Sequence, residues 1–524
     1  MAKPNVSKDA LLIQVESKKL KRELTLLPLF GLMYFTVCGG SFGIEGLVGW
    51  SGPGLAMVLI ILTPIVFSLP NVLMVRELST MMPSEGGYYH WVKQAFGPFA
   101  GFMAGWNNWV VSWLDVTIYP VLVAYYLGYF IPALHTGAVI GGREISPELL
   151  SFLVALIVIW TMSLLQIRGA RLSGLFTNGL SIFIIVPLAI MSLAGLYSWF
   201  HSGMTIQLPF LPQGQDLSGA LSTGLFIVMW NYMGWELPSV AGDEVVNPRK
   251  TYSRAMALVL VAAIGTYMLP VVAGLYGGAG ADGRYQLWGI EGSDGGIGPV
   301  LEEYGVTPEQ MAAWNVNPEA TVGWEFPQIG QAIGEALGSP GLAGALGSFL
   351  TIAAVLSMIG LFIGNSLGGS RVPFALAEDG MFPRWLVRVH EKYGTPWIAI
   401  LFVGVIYSIF SLSAFAFLVV ADVFLQSLVI LAEFGAMWKL RYTKPDAPRD
   451  RVPWGVPGMI LVTIGPVAII LLAIYSQFTE EGWSSLGWAL GFMAVGALLY
   501  LPFKRYLKPG IPDVDPFKLP PEEA

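Results

Sequence analysis

Three carboxylic acids stand inside long apolar stretches of the sequence, where a charge is costly in a membrane. They are Glu45, Asp115 and Glu236. A charged side chain at the centre of a bilayer costs at least about 2.5–3.5 kcal/mol, so such a residue normally faces a cavity and has a function. Because no Lys or Arg lies at a similar depth, we expect each acid to be protonated or to meet a cation: a substrate ammonium group, Na⁺ or a proton. An inert, hydrogen-bonded carboxylate is the alternative for any one of them.

The remaining titratable side chains do not indicate a second site. Asp422 and Glu433 share one later apolar stretch but lie away from any interruption of it, and a structural role explains them equally well. The single Cys38 excludes an intramolecular disulfide, and the four His have no ligand spacing. The sequence therefore predicts no metal site, no cofactor and no catalytic residues.

Two apolar stretches are interrupted by residues that weaken a helix. The first contains four Gly and Glu45 within Cys38–Gly46, and the second contains Gly234 and Pro238 beside Glu236. Each Gly costs a helix ~1 kcal/mol relative to Ala. Paired interruptions in the two halves of a chain are typical of a transporter site at the middle of the membrane, where freed N–H and C=O groups line a cavity. Two merely kinked helices are the alternative. The residues expected to offer polar groups to a substrate here are Gly39, Gly40, Ser41, Gly43 and Asn231.

Aromatic residues accompany both the acids and the second interruption. Tyr119 follows Asp115 by four positions, and Trp230, Tyr232 and Trp235 surround Asn231. Aromatic ring faces attract ammonium groups, so these four side chains are candidate walls and gates of a cation pocket. Ordinary packing is the alternative for each of them.

Composition places the chain in a membrane. The 524 residues are 55% hydrophobic and only 12% charged, whereas soluble domains are about a quarter charged. A transmembrane helix needs ~20 apolar residues, and the sequence contains twelve stretches close to that length. The predicted spans are 26–49, 54–75, 98–130, 149–167, 175–198, 218–241, 254–278, 341–370, 396–410, 412–438, 456–477 and 485–503.

The distribution of Lys and Arg predicts how these spans are oriented. With the N-terminus in the cytoplasm, every basic residue except Arg143 and Arg284 falls on the cytoplasmic side. We therefore expect a multi-pass protein of the cell (plasma or inner) membrane with both termini inside. The long loop 279–328 is expected outside, where it either caps a vestibule or is a solvated acidic loop.

The predicted organisation is one transmembrane transporter domain, 26–503, between cytoplasmic tails at 1–25 and 504–524. Two inverted repeats, about 26–198 and 218–438, make up most of this domain. Helices eleven and twelve, about 456–503, follow the repeats.

Several motifs in order along the chain resemble those of the amino acid–polyamine–organocation superfamily. They are Pro83–Trp91 with Phe96-Gly97-Pro98, then Glu244–Arg249, then Arg371–Pro383 with Gly394-Thr395-Pro396. The resemblance implies an all-α membrane protein of twelve transmembrane helices with a five-plus-five inverted-repeat (LeuT-type) fold. Helices 1 and 6 of that fold are discontinuous, at the two interruptions described above.

Within the superfamily, the motifs are most similar to those of the plant-type polyamine:cation symporters. The similar elements are Gly39–Glu45, Asp115 followed by Tyr119-Pro120, and Trp235-Glu236. This chain has Ser41 where those proteins commonly have Pro, and Glu236 where they have Asp. Amino-acid carriers of the superfamily instead read G-S-G-I-F in helix one. Glu45 then stands near the place where a substrate carboxylate would rest on free N–H groups, which favours a cation-rich substrate.

Together these observations predict a secondary-active transporter that imports amino acids or polyamines by alternating access coupled to H⁺ or Na⁺. Its expected partners are a small-molecule substrate and the lipid bilayer, with no nucleic acid. An ordinary amino-acid permease or exchanger is the alternative within the class. A channel would not need paired broken helices, and a membrane-embedded enzyme would need a catalytic constellation at one depth that the sequence lacks.

Overall fold

The computed structural model is a bundle of long helices. It describes residues 25–82, 87–168, 170–202, 208–212, 214–236, 246–293, 295–378 and 381–506. The predicted tails lie outside these ranges except for Thr25 and 504–506. Within the described ranges the one β-sheet is an antiparallel hairpin of Ala138–Ile140 and Arg143–Ile145.

The helices follow the apolar stretches of the sequence. In chain order they are Leu26–Val37, Glu45–Ser51, Pro53–Thr63, Leu69–Met81, Gly87–Phe96, Pro98–Leu127, Ala133–Thr136, Pro147–Ile167, Ala170–Ser202, Leu217–Asn231, Pro248–Gly274, Ile297–Glu303, Pro308–Ala313, Phe326–Ala336, Pro340–Glu378, Trp397–Phe410, Phe415–Thr443, Gly455–Glu481 and Ser484–Tyr506. π-Helical turns at Pro64–Ser68 and Leu275–Ala279 and 3-10 turns at Ala281–Leu287 and Arg384–Val387 complete them. Local signals explain several beginnings: Asp216, for example, accepts the Gly219 N–H at 2.9 Å as an N-cap.

Eight helices among the described residues are long enough and apolar enough to cross a membrane. They are Pro53–Met81, Pro98–Leu127, Pro147–Ile167, Phe183–His201, Lys250–Ala279, Pro340–Phe374, Phe415–Thr443 and Gly455–Thr479. Shorter apolar helices are Leu217–Asn231, Trp397–Phe410 and Leu486–Pro502. Each of these eleven coincides with one of the twelve predicted spans; the remaining span, 26–49, contains two short helices.

Large apolar side chains cover the outside of this bundle. Leu193, Val261, Leu461 and Leu498 are each more than 60% exposed, and all four belong to long helices. A soluble protein rarely exposes contiguous apolar patches of this kind, but a lipid-facing surface requires them. The protein is therefore an all-helical membrane protein.

The first predicted span is interrupted in the structure. One helix ends at Val37, the next begins at Glu45, and residues 38–44 between them are not helical. Gly39, Gly40 and Gly43 have φ angles of +57°, +110° and +89°, which side chains with a Cβ rarely adopt. The glycines thus produce the interruption directly.

The sixth predicted span also ends early. The Leu217–Asn231 helix stops at Asn231, and residues 232–236 are turn and irregular backbone, with Gly234 at φ +90°. Pro238 and the rest of 237–245 lie outside the described residues, and the next helix is Pro248–Gly274.

The loop that follows Pro248–Gly274 is folded and packs on the second part of the interrupted span. Its Leu287, Trp288 and Ile290 are almost fully buried. A Cβ on Gly49 would lie 2.1 Å from the Trp288 carbonyl oxygen, so only glycine permits this approach. We call this side of the bundle the loop end. Part of 279–328 is thus packed on the bundle and is not wholly solvated, while a role as cap of an outer vestibule stays a prediction.

An ion-pair cluster holds the opposite end of the bundle together. Glu77 accepts hydrogen bonds from Arg441 Nε at 2.8 Å, from Arg441 Nη2, and from the Val452 N–H at 2.7 Å. Arg449 lies 3.9 Å from the same carboxylate. Because Phe415–Thr443 runs from the loop end to this cluster, we call the second side the basic end.

Candidate functional site

Glu45 is the best-satisfied of the three predicted acids. It begins the Glu45–Ser51 helix and is fully buried. Its Oε2 accepts the Gly43 N–H at 2.7 Å, and its Oε1 accepts the Tyr126 hydroxyl at 3.2 Å and the Phe326 N–H at 3.1 Å. The carboxylate therefore joins the interrupted span to the Pro98–Leu127 helix and to the loop end.

The interrupted backbone is largely occupied by the protein itself. The Gly43 N–H also lies 2.9 Å from the Tyr126 hydroxyl, and its carbonyl lies 3.4 Å from Asn231 Nδ2. Ser357 donates to the Gly39 carbonyl, and Cys38 donates to the Gly40 carbonyl at 3.3 Å. Ser41 differs, because its buried hydroxyl has no partner among the described residues.

Asp115 lies in a more open place than Glu45. It is half-buried on the Pro98–Leu127 helix, and its Oδ1 accepts the Tyr119 hydroxyl at 2.8 Å and Trp230 Nε1 at 3.1 Å. Asn365 in turn donates to the Tyr119 hydroxyl at 2.8 Å. Within the described residues, Oδ2 of Asp115 accepts no hydrogen bond. This carboxylate has a free oxygen in a site framed by aromatic rings.

Trp230 connects this site to the first interruption. Its ring is half-buried, 6.3 Å from that of Tyr119 and 5.9 Å from that of Phe415. A Cβ on Gly43 would lie 2.9 Å from its Cζ3, so the ring edge packs on that glycine. The structure thus brings together the predicted residues Gly43, Asp115, Tyr119 and Trp230.

The other predicted aromatic residues pack inside the protein. Tyr232 is fully buried, and its hydroxyl donates to the Ile60 carbonyl at 2.9 Å. Trp235 is 1% exposed and donates from Nε1 to the Tyr232 carbonyl at 2.8 Å. Tyr267, which the sequence did not single out, donates to the Asn231 carbonyl at 2.8 Å. These contacts hold the end of the Leu217–Asn231 helix in place.

Glu236 faces a different helix from the other two acids. It is 3% exposed and accepts a hydrogen bond from Gln426 on Phe415–Thr443. Asp422, one turn earlier on that helix, has Asp115 and Glu236 as its electrostatic neighbours. Asp422 therefore lies near two of the predicted site acids.

Two acids of the loop end were not among the predicted site residues. Glu291 accepts the Tyr125 hydroxyl at 2.7 Å and the Phe415 and Ala416 N–H groups at 3.0 Å each. Glu325 lines the same small cavity as Glu45 and Glu291. There is little reason in the sequence to select them, since acidic residues are common in loops. Only the fold brings these two side chains to the cavity beside Glu45.

Burial changes the protonation of both loop acids. It raises the pKa of Glu291 above its usual value. Burial first, and then the nearby charge of Glu45, hold the pKa of Glu325 well above its usual range. Two carboxylates that share a cavity cannot both ionise cheaply, so the pair of Glu45 and Glu325 favours holding one proton. In the described part of the chain, no group of three or more His, Cys, Asp or Glu residues is placed to hold a metal ion.

Comparison with known proteins places the chain in a transporter family. The profile of the Amino acid permease family matches residues 24–500. The polyamine transporter PUT1 of Oryza sativa subsp. japonica is 30% identical over 506 residues, which cover 95% of this chain and 83% of that protein. The polyamine transporter RMV1 of Arabidopsis thaliana is 30% identical over 460 residues, covering 88% and 81%.

A bacterial protein is also similar. The uncharacterized transporter lpg1691 of Legionella pneumophila is 26% identical over 437 residues, which cover 78% of this chain and 80% of that protein. The family match spans nearly the whole helical bundle, including both interruptions and all three predicted acids. The chain therefore belongs to the amino acid permease family of the amino acid–polyamine–organocation superfamily, and it is a membrane transporter rather than an enzyme.

Proposed function

We propose that this protein is a secondary-active importer of polyamines that couples transport to protons. The observation that carries the proposal is the hydrogen bond from the Gly43 N–H to Glu45 Oε2, at 2.7 Å. In an amino-acid carrier, N–H groups at this interruption are free to bind the substrate carboxylate. Here the protein supplies its own carboxylate, so a substrate carboxylate would be repelled and a polycation would not.

The second support is the surplus of carboxylates over cations in the middle of the bundle. Asp422 interacts electrostatically with Asp115 and Glu236, and in the described part of the chain the ion pairs involve neither Asp115 nor Asp422. Trp230 and Tyr119 add ring faces beside Asp115. Ammonium groups fit this pocket, and their charge would offset that of the acids.

The architecture that we propose is twelve transmembrane helices, with two five-helix inverted repeats and discontinuous helices 1 and 6. The interruption at 38–44 and the early end at Asn231 support it, because they stand at equivalent positions of the two repeats. Alternating access would then expose the site of Asp115 and Trp230 to one side at a time. In the structure, the loop end covers it through Glu45 and Glu291.

The substrate class is tested by direct binding to the purified protein. Putrescine, spermidine and spermine should raise its unfolding temperature and zwitterionic amino acids should not, because a ligand present at 100 times its Kd stabilises the folded state by about 2.7 kcal/mol. In proteoliposomes, polyamine uptake should saturate and stop when the proton gradient is collapsed. Strong stabilisation by an amino acid alone would point to an ordinary permease, and non-saturating uptake to a channel.

The orientation is tested by labelling introduced cysteines in intact cells. Glu319→Cys in the exposed part of the loop end should react with a membrane-impermeant thiol reagent from outside. Asp446→Cys at the basic end should react only after permeabilisation. The native Cys38 is buried and supplies little background. The opposite labelling pattern would reverse the proposed placement of both termini in the cytoplasm.

A further inference from the structure

One face of the Phe415–Thr443 helix carries buried polar side chains with oxygen atoms that accept no hydrogen bond from the described residues. They are Asp422, Gln426 and Glu433, at most 4% exposed. Successive residues of an α-helix are ~100° apart, so spacings of four and eleven residues place all three within about 40° on one face. We call this set the helix-ten stripe, because Phe415–Thr443 corresponds to the tenth of the twelve predicted spans, 412–438.

The stripe has acceptor atoms that lack partners. Asp422 Oδ1, Gln426 Oε1 and both carboxylate oxygens of Glu433 accept no hydrogen bond from the described residues. A buried acceptor without a donor destabilises the fold, and more so when it is charged. A ligand for this surface must therefore bring donors, and in particular cationic donors.

The stripe continues the site already described. Gln426 donates to Glu236, and Asp422 has Asp115 and Glu236 as electrostatic neighbours. Glu433 in turn has Glu236 as its neighbour, and Tyr88 lies near both Glu236 and Glu433. Four carboxylates thus follow one another from Asp115 towards the basic end.

Polar side chains of two other helices, Tyr88 and Asn108, also lie in the region of Glu433. The Tyr88 hydroxyl donates to Asn108 Oδ1 at 2.7 Å, and Asn108 Nδ2 has no partner among the described residues. At the basic end, the ion pairs among the described residues join Glu77 to Arg441 and Arg449 and do not include Glu433. Glu433 is therefore a buried carboxyl group without a cationic partner among the described residues.

The length of the stripe suits a linear polycation. At ~1.5 Å per residue, Asp422 and Glu433 are roughly 16 Å apart along the helix axis. An extended tetraamine has a comparable length, whereas a diamine is much shorter. A zwitterionic amino acid would add a carboxylate to a surface whose acceptor oxygens already lack donors.

We propose that the helix-ten stripe is an extended subsite that binds the distal ammonium groups of tri- and tetraamines, and that Glu433 is a determinant of specificity for polyamine length. This inference rests on the proposed function and deepens it, since it assigns the long polyamines as preferred substrates. Each terminal ammonium group offers three N–H donors to the unpartnered oxygens, as the ammonium group of Lys does, and an internal secondary ammonium group offers fewer. A diamine held at Asp115 would end before it reached Glu433.

The test compares putrescine, spermidine and spermine in equilibrium binding to full-length Glu433→Gln. Its affinity for spermine should fall roughly 30-fold, the lower end for loss of one partner of a desolvated charge pair, while putrescine affinity stays within about 3-fold. Asp422→Asn, nearer to Asp115, should weaken binding of all three. Retained putrescine binding also shows that Glu433→Gln is folded, and thermal unfolding provides the same check for Asp422→Asn. The matched control is Glu391→Gln, an exposed acid on the loop beyond the Pro340–Glu378 helix, which should leave all three affinities unchanged.

The outcomes separate the two levels of the proposal. Equal affinity of wild type and Glu433→Gln for spermine would overturn the extended subsite while leaving polyamine transport intact. An equal loss for all three polyamines would also overturn it, because Glu433 would then not act on length. Failure of the wild type to bind any polyamine would overturn the proposed function itself.

Discussion

Replacing Asp115 by Asn should lower the affinity for polyamines by roughly 30- to several-thousand-fold. The free oxygen of Asp115 is the proposed contact for an ammonium group, and its other oxygen is already used by Tyr119 and Trp230. Removing one charge from a desolvated ion pair typically costs ~2–5 kcal/mol, which gives that range of affinities. Asn has nearly the same shape and still accepts from Tyr119, so the fold should be kept.

The measurement is direct binding of spermidine to the purified variant, with thermal unfolding as the check on folding. Asp446→Asn is the matched control, since it removes an exposed carboxylate at the basic end and should leave binding unchanged. An Asp115→Asn protein with wild-type polyamine affinity would remove Asp115 from the site. Tight binding of a zwitterionic amino acid that does not depend on Asp115 would favour the ordinary amino-acid permease.

The local parts of the fold could be read from the sequence because their causes are local. Apolar runs end at polar residues, and the positive φ angles at Gly39, Gly40 and Gly43 follow from the absence of a Cβ. The eight long apolar helices fall on predicted spans for the same reason. The π-helical turn at Pro64–Ser68 was not predicted: it lies inside an uninterrupted apolar run, where hydropathy contains no signal for it.

The partners of Glu45 could not be predicted in the same way. Tyr126 and Phe326 are 81 and 281 residues away along the chain, and only the fold brings their donors to this carboxylate. Sequence showed that a buried acid needs a partner, and it suggested an ammonium group of the substrate. In the structure the carboxylate already accepts three protein donors. Its role as a substrate ligand remains a prediction, and a role in closing the loop end now stands beside it.

The spacing of Asp422, Gln426 and Glu433 was visible in the sequence, but its meaning was not. A helix with polar residues four and eleven positions after Asp422 has one polar face whatever surrounds it. The hydrogen bond from Gln426 to Glu236 shows which element that face meets. Without that contact, structural roles for Asp422 and Glu433 were equally good explanations.

Replacing Glu45 by Gln should abolish proton-driven accumulation while polyamine binding stays within a few-fold of wild type. The carboxylate accepts N–H groups on both of its oxygens, from Gly43 at 2.7 Å and Phe326 at 3.1 Å. The amide of Gln has one acceptor, so one of these N–H groups would face its NH₂ group and lose its partner. Loss of a hydrogen bond to a charged group costs ~1.5–3 kcal/mol, so the closed loop end should be less stable. The substitution also removes the carboxyl group that shares a proton with Glu325, and with it the proposed proton coupling.

The pKa of Glu325 predicts how accumulation by the wild-type protein depends on pH. Its pKa is raised by burial and then by the charge of Glu45, so the closed loop end holds a proton that an ordinary Glu would have released. Closure is therefore favoured while Glu325 is protonated, and it weakens as the outside pH rises through that raised pKa. Accumulation by the wild type should fall over that interval. In Glu45→Gln the neighbouring charge is absent but the burial remains, so the pKa of Glu325 should fall without returning to its usual value, and the pH dependence of exchange should move to lower pH.

These quantities are measured in proteoliposomes with an imposed pH gradient, where accumulation and counterflow exchange of labelled spermidine are recorded separately. We expect Glu45→Gln to bring the accumulation ratio close to one and to retain exchange, because the site at Asp115 and Trp230 is intact. Glu319→Gln, on the exposed part of the same loop, is the matched control and should accumulate like the wild type. Normal accumulation by Glu45→Gln would exclude Glu45 from proton coupling. A loss of binding as large as that of Asp115→Asn would instead make Glu45 a direct ligand of the substrate ammonium group.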